Sequence, residues 1–87
     1  MEDIFLKNLP YIDLHGYDME SARVATEDFV NDNLVLNNKK VLIIHGKGKG
    51  LVKKAVHESL RKRKEVAKFY TANLNDGCTI VHLNVDN

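Results

Sequence analysis

The segment from residue 41 to residue 64 constrains the fold more than any other part of the chain. Residues 41–44 are apolar and mostly β-branched, which is typical of a buried strand. The sequence His-Gly-Lys-Gly-Lys-Gly follows at 45–50, and residues 51–64 then show a helical pattern without Gly or Pro. A strand that leads through such a loop into a helix presents backbone N–H groups and lysine charge to an anion. We therefore expect this loop to bind phosphate.

Hydrophobic periodicity in the rest of the chain predicts the element order βαβαββ. The predicted strands lie at 11–15, 41–45, 66–71 and 78–85, and the predicted helices at 19–35 and 51–64. Helical crossovers favour parallel pairing of the first three strands, and the short turn at 73–77 favours an antiparallel hairpin of the last two. With only two helices, we expect an α/β two-layer sandwich: a four-stranded mixed sheet with both helices on one face.

Each predicted helix has a stripe of small or apolar residues that should face the sheet. In the first helix, which Asp18 is expected to cap, the stripe comprises Ala22, Ala25, Thr26, Phe29, Asn33 and Leu36. In the second helix it comprises Leu51, Val52, Ala55, Val56, Ser59 and Leu60. We expect residues 1–9 to form an arm that packs through Ile4, Phe5 and Leu6, and residues 10–87 to form one domain.

The composition excludes several classes of protein. No apolar run approaches the ~20 residues of a membrane span. The acidic start of the chain lacks the basic region of a signal peptide, and the single cysteine, Cys78, cannot form an internal disulfide. We expect a cytoplasmic protein with no membrane partner, in which Cys78 is a plain buried thiol.

Charge is strongly segregated along the chain, although the net charge is only +1. Residues 1–38 contain eight acidic and two basic side chains, whereas residues 39–68 contain eleven basic and two acidic ones. The basic segment includes the glycine loop and the second helix. An acidic partner such as nucleic acid could therefore dock there despite the nearly neutral total.

Asp13 and His15 form the first candidate site, because alternation along a strand places both side chains on one face at its carboxyl end. A carboxylate beside an imidazole can orient it as a general base. The pair could also contribute to a metal site, or simply satisfy hydrogen bonds at the end of the strand.

His45 and the glycine loop form the second candidate site. His45 ends its strand as His15 ends the first, so the two imidazoles and Asp13 are expected to converge beside the loop. The loop residues that would contact phosphate are Gly46, Lys47, Gly48, Lys49 and Gly50. The spacing matches neither a P-loop nor a dinucleotide fingerprint. The alternative is a turn whose glycines only relieve strain.

The basic second helix is the third candidate. Its lysines and arginines could contact phosphates without reading bases, or could form an ordinary solvated face. They are Lys53, Lys54, Arg61, Lys62, Arg63 and Lys64. We expect His57 to lie on the surface and His82 to be structural.

The motifs together resemble the Smr (small MutS-related) domain family. Residues 12–16 (Ile-Asp-Leu-His-Gly) resemble its leucine-Asp-leucine-His-Gly motif, and residues 41–50 resemble its apolar strand followed by His-Gly-Lys-Gly-x-Gly. Residues 51–56 fit the following helix and residues 77–83 the terminal strand. The resemblance covers about residues 10–85. One departure is the turn at 73–77, which has one glycine where the family often has several.

The resemblance implies a fold like the C-terminal domain of translation initiation factor three. It also implies nucleic-acid binding and, in many members, endonuclease activity on DNA or RNA, with some members acting on stalled ribosomes. The family's motif positions fall here on Asp13, His15, His45, Gly46 and Gly48. The chain would be either a free-standing Smr protein or a domain of a larger one.

Two functions remain open from the sequence. In the first, an endonuclease, His15 oriented by Asp13 removes a proton and His45 protonates the leaving oxygen or binds the phosphate. In the second, the same surface is a non-catalytic nucleic-acid or ribosome-binding module of a DNA-repair or ribosome-rescue protein. A divalent ion, Mg²⁺ or Mn²⁺, held by Asp13, His15 and His45 is a further option that no metal-binding motif supports.

Overall fold

A computed structural model describes residues 8–73 and 75–85. The predicted arm falls mostly outside the described residues, as do Ile4, Phe5 and Leu6. Of the arm, only residues 8 and 9 are described, and Leu9 packs partly buried against the sheet. The elements are β1 Tyr11–Asp13, α1 Met19–Val35, β2 Lys40–Ile44, α2 Leu51–Arg61, β3 Val66–Thr71 and β4 Cys78–Leu83. The predicted order βαβαββ is confirmed, and α1 and β3 have the predicted bounds.

Helix α1 begins where its capping residue predicts. The Asp18 carboxylate accepts a hydrogen bond from the Ser21 backbone N–H at 2.7 Å, an N-cap that stabilises a helix by about 1 kcal/mol. The buried side chains are Ala22, Thr26, Val30 and Asn33. The prediction that Leu36 faces the core is wrong: it follows the last helical residue and is 66% exposed.

The sheet has the strand order β1-β2-β4-β3. β1 and β2 are parallel, as predicted, but β3 does not pair with β2, because β4 lies between them and is antiparallel to both. Five of the six residues of β4 are buried, whereas Ala67 and Lys68 of β3 are exposed. A strand that is apolar on both faces gains most from a central position, and a partly polar strand tolerates the edge.

Both helices pack on one face of the sheet, which confirms the two-layer sandwich. The main core lies between the helices and this face and includes Leu14, Ile43, Val56, Leu60 and Val81. A second cluster on the opposite face contains Leu42, Ala72, Cys78 and Ile80. Cys78 is a buried thiol, as expected, and burial raises its pKa.

Helix α2 is shorter than predicted and ends at Arg61. Its buried residues are Ala55, Val56, Ser59 and Leu60. The assignment of Leu51 to the buried stripe is wrong, since this first residue of the helix is 52% exposed. In the part of the chain that the structure describes, neither helix is long and apolar enough to cross a membrane.

Candidate functional site

The loop between β2 and α2 is shaped to leave its backbone N–H groups open. Gly46 and Gly50 both have φ +82°, in the left-handed region that favours glycine, and Gly50 caps α2 without a side-chain hydrogen bond. Within the described residues, no N–H group of residues 47–50 donates to a backbone carbonyl. With the first N–H groups of α2, which no intrahelical carbonyl reaches, they form a surface suited to an anion.

This loop borders a cleft of about 430 Å³ at the carboxyl ends of β1 and β2. The segment after β1 also lines the cleft, through His15, Gly16 and Tyr17. Lys47 and Lys49 contribute two positive charges from the loop. The parallel pairing of β1 with β2 therefore brings the two predicted motifs to one edge of the sheet.

Asp13 and His15 form the predicted pair. The Nδ1 atom of His15 lies 2.7 Å from Oδ1 of Asp13, which also accepts the His15 backbone N–H at 3.1 Å. These hydrogen bonds lower the pKa of the Asp13 carboxyl, so Oδ1 is an acceptor and His15 donates from Nδ1. The His15 side chain is 72% exposed. In the neutral ring, Nε2 of His15 therefore carries the lone pair that can accept a proton, and the ring is both exposed and oriented by Asp13.

His45 lines the same cleft, but its ring is bonded to the interior. The residue is 3% exposed, its Nδ1 donates to the Gly46 carbonyl at 3.0 Å, and its Nε2 lies 2.8 Å from the Thr79 hydroxyl. Burial lowers the pKa of His45, and Lys53 adds to this effect. The expected convergence of three functional groups is thus only partial: the structure joins Asp13 to His15 and places His45 in a separate network.

His57 is the partner that sequence reasoning missed. The prediction that it lies on the surface is wrong, because its Nε2 is 2.7 Å from the Thr79 hydroxyl and its ring packs edge-on against Phe69. Burial, with His45, Lys53 and Arg61 nearby, lowers its pKa to about 4. One signal was available: on a helix, residue 57 borders the buried stripe that contains Leu60.

The turn between β3 and β4 holds the loop in place. The Gly77 carbonyl accepts the backbone N–H groups of His45 and Gly46 at 2.8 and 2.9 Å, and Lys47 forms an ion pair with Asp76 at 3.6 Å. A Cβ atom on Gly77 would lie 3.3 Å from both the Gly46 carbonyl carbon and the Lys47 side chain. Gly77, the one glycine of this turn, therefore lies where the turn packs closely against residues 46 and 47 of the loop.

The basic surface continues along α2 as a shallower depression of about 340 Å³. Lys53, Lys54 and Arg61 line it, as the sequence predicted for phosphate contacts, and the Arg61 guanidinium lies 5.9 Å from the Phe69 ring centroid. Arg63 differs from the prediction. It donates to Glu65 and Asn31 and so serves to connect α1 with the end of α2.

The donor set proposed for a metal ion does not fit one. Among the described residues, no three His, Cys, Asp or Glu side chains are grouped closely enough to hold an ion. Nδ1 of His15 and both ring nitrogens of His45 already take part in hydrogen bonds within the protein. Asp13, His15 and His45 therefore do not form a metal site in this arrangement.

Comparison with known proteins agrees with this fold. The Smr domain model matches residues 12–84. The chain belongs to the Smr domain family. It is 41% identical to "Endonuclease MutS2" of Staphylococcus carnosus over an aligned segment of 66 residues. This segment covers 76% of this chain and 8% of that protein. The chain thus spans under a tenth of the length of that relative.

Two solved structures are also similar to this Smr domain. The Smr domain of Thermus thermophilus MutS2 superposes with a TM-score of 0.84 at 28% identity, covering 87% of this chain and 99% of that one. YdaL, a stand-alone small MutS-related protein from Escherichia coli, superposes with a TM-score of 0.78 at 26% identity, covering 92% and 72%. The fold therefore occurs both inside a larger protein and by itself.

Proposed function

We propose that this Smr domain binds the backbone of nucleic acid in the cleft beside β1 and β2 and cleaves phosphodiester bonds with the Asp13–His15 pair. The observation that carries the proposal is that an exposed, carboxylate-oriented imidazole lines the same cleft as an open N–H loop with two lysines. A general base beside an anion site is the minimum that phosphodiester cleavage needs.

In this proposal a phosphate oxygen lies on the N–H groups of the glycine loop, and Lys47 and Lys49 stabilise the negative charge that develops on the phosphoryl oxygens. His15 accepts a proton at Nε2 from water or from a ribose hydroxyl. Asp13 keeps the His15 Nδ1 protonated and stabilises the imidazolium that forms. A well-placed base of this kind contributes about 10²–10⁴-fold to a rate.

His45 does not act as the acid in this scheme. Both of its ring nitrogens are hydrogen-bonded inside the protein, and burial lowers the pKa of His45 by disfavouring the protonated form that a general acid needs. The bond between phosphorus and the leaving oxygen breaks as the new P–O bond forms; the loop N–H groups and the lysines stabilise the leaving oxygen, which takes its proton from solvent water. The role predicted for His45 from the sequence is thereby restricted to supporting the phosphate loop.

The test is turnover on matched single-stranded RNA and DNA oligonucleotides, each with and without a chelator. We expect His15→Gln to lower the cleavage rate about 10²–10⁴-fold while leaving oligonucleotide affinity within a few-fold. The matched control is Lys39→Ala, at the opposite end of β2 from the loop. Equal cleavage by wild type and His15→Gln would contradict the catalytic role.

A binding module without catalysis is the second candidate. Two observations favour it: the basic depression of Lys53, Lys54 and Arg61 extends well beyond the Asp13–His15 pair, and the MutS2 relative named an endonuclease is over ten times longer than the matched segment. Cleavage could then belong to another part of a larger protein, while this domain holds nucleic acid, including ribosomal RNA.

Salt dependence tests the binding surface itself. Removing one side chain that neutralises a phosphate should make the slope of log affinity against log salt shallower by about 0.7–0.9. We expect this change for Lys54→Ala, whose exposed side chain lines the depression, and no change for Lys39→Ala. An affinity that does not vary with salt would contradict nucleic-acid binding through this surface.

A further inference from the structure

The hydroxyl of Thr79 lies between two imidazoles. Thr79 is fully buried on β4, and its Oγ1 atom is 2.8 Å from Nε2 of His45 and 2.7 Å from Nε2 of His57. A hydroxyl carries one hydrogen, so it can donate to only one of these nitrogens. The other nitrogen must donate to the hydroxyl oxygen.

The hydrogen bond between His45 and the Gly46 carbonyl decides which of the two Nε2 atoms donates to the Thr79 hydroxyl oxygen. Nδ1 of His45 lies 3.0 Å from the Gly46 carbonyl oxygen, which can only accept. His45 therefore carries its proton on Nδ1, and in the neutral ring Nε2 is the acceptor for the Thr79 hydroxyl. It follows that His57 donates from Nε2. The two histidines are opposite tautomers in one directed chain, from His57 through Thr79 and His45 to Gly46.

The end of this chain is the first residue of the glycine loop. The Gly46 N–H donates to the Gly77 carbonyl and the Gly46 carbonyl accepts from His45, so both polar groups of this residue are fixed. Gly46 also touches the catalytic pair, because a Cβ built on it would lie 3.2 Å from the Cβ of His15. Its orientation therefore bears on both the loop N–H groups and His15.

We propose that Thr79 and His57 are positioning residues for the glycine loop, which they orient by holding His45 as the Nδ1–H tautomer with its donor on the Gly46 carbonyl. The effect on nucleic-acid binding rests on the function proposed above, whereas the tautomers do not. The charged neighbours support a neutral network, since Lys53 and Arg61 oppose protonation of His57 and Lys53 opposes that of His45. The hydrogen bond to the Gly46 carbonyl and the charge of Asp76 act on the pKa of His45 in the opposite direction, but burial is the largest cause and the pKa is lowered.

The first measurement is the nitrogen chemical shifts of the histidine rings near neutral pH. We expect His45 to be protonated on Nδ1 and His57 on Nε2. In Thr79→Val, which removes the hydroxyl at nearly constant volume, the ring shifts of both histidines and the backbone amide shifts of residues 46–50 should move. Reversed tautomers, or unchanged loop amides in Thr79→Val, would overturn the proposal even if the protein binds no nucleic acid.

The second measurement is affinity for a fluorescent single-stranded oligonucleotide. We expect Thr79→Val to weaken binding about tenfold with an unchanged salt slope, because no charge is removed, and Thr79→Ser to restore it to within a few-fold. Equal binding by wild type and Thr79→Val, or equal weakening by both substitutions, would refute positioning by the hydroxyl. His57→Phe, which keeps the ring packing against Phe69, provides the second variant and should weaken binding in the same way.

Discussion

The two histidines that lie just after the parallel strands β1 and β2 occupy opposite environments. His15 is exposed and held by one carboxylate from its own strand, whereas His45 is buried and bonded to a neighbouring strand and to its own loop. Both line the same cleft. Their environments suit them to different roles. The exposed imidazole of His15 can exchange a proton with a ligand at Nε2, whereas the buried imidazole of His45, with both nitrogens hydrogen-bonded, is suited to a structural role.

Gly46 links these two regions. It follows His45 in the chain, and its α-carbon faces His15 closely enough that a methyl group there would lie 3.2 Å from the His15 Cβ. The difference between the regions indicates that the His-Gly-Lys-Gly motif combines a scaffold half with the half that we propose as the ligand surface. His45 and Gly46 set the shape, and the open N–H groups and lysines of residues 47–50 face the cleft.

The same substitution at both histidines gives the largest expected difference in stability. His45→Ala leaves a cavity and an unsatisfied Thr79 hydroxyl, so we expect the free energy of unfolding to fall by about 2–4 kcal/mol. His15→Ala removes an exposed ring and should cost less than about 0.5 kcal/mol. Chemical denaturation monitored by circular dichroism measures both. Equal losses in the two variants would break the division between scaffold and ligand surface.

The sequence predicted one of these regions much better than the other. The Asp13–His15 contact spans two residues of one strand, and the N-cap at Asp18 is equally local. By contrast, Thr79 meets His45 across 34 residues and His57 across 22. Local periodicity contains no information on such pairs until the strand order is known, and that order was itself mispredicted for β3.

The glycine loop shows the same limit within one motif. The prediction that it binds an anion rests on residue types alone, because glycine and lysine beside a helix N-terminus present N–H groups and positive charge. The contact with the turn at Gly77 depends on β4 lying next to β2, which places Gly77 opposite His45 and Gly46. Residue types therefore lead to the prediction that the loop binds an anion, and only the topology shows which contacts hold the loop in place.

Two alanine substitutions within the loop sharpen the boundary between scaffold and ligand surface. Gly46→Ala combines a left-handed φ of +82° with a 3.2 Å contact to His15, so we expect a loss of about 1–2 kcal/mol in unfolding free energy. Gly48→Ala meets nothing within 4 Å and should change stability by less than about 0.5 kcal/mol. Thermal melts separate the two, since 1 kcal/mol shifts Tm by roughly 4–8 °C in a domain of this size. A Gly48→Ala variant as unstable as Gly46→Ala would show that the loop has no free segment.

The smallest expected effect is the pH dependence of the buried network. The pKa of His57 is about 4 in the folded protein and about 6.5 when exposed, so the unfolded chain binds the extra proton between these values. Stability should therefore be greatest above about pH 7 and decrease as the pH falls from about 6.5 towards about 4. Because the ring is only half-buried, the decrease should be on the order of 1 kcal/mol. Denaturation between about pH 7.5 and about pH 5 avoids most carboxyl titration. His57→Phe should make this pH dependence of stability shallower without removing it, because the lowered pKa of His45 acts in the same direction. An equally steep pH dependence in His57→Phe would show that another group titrates.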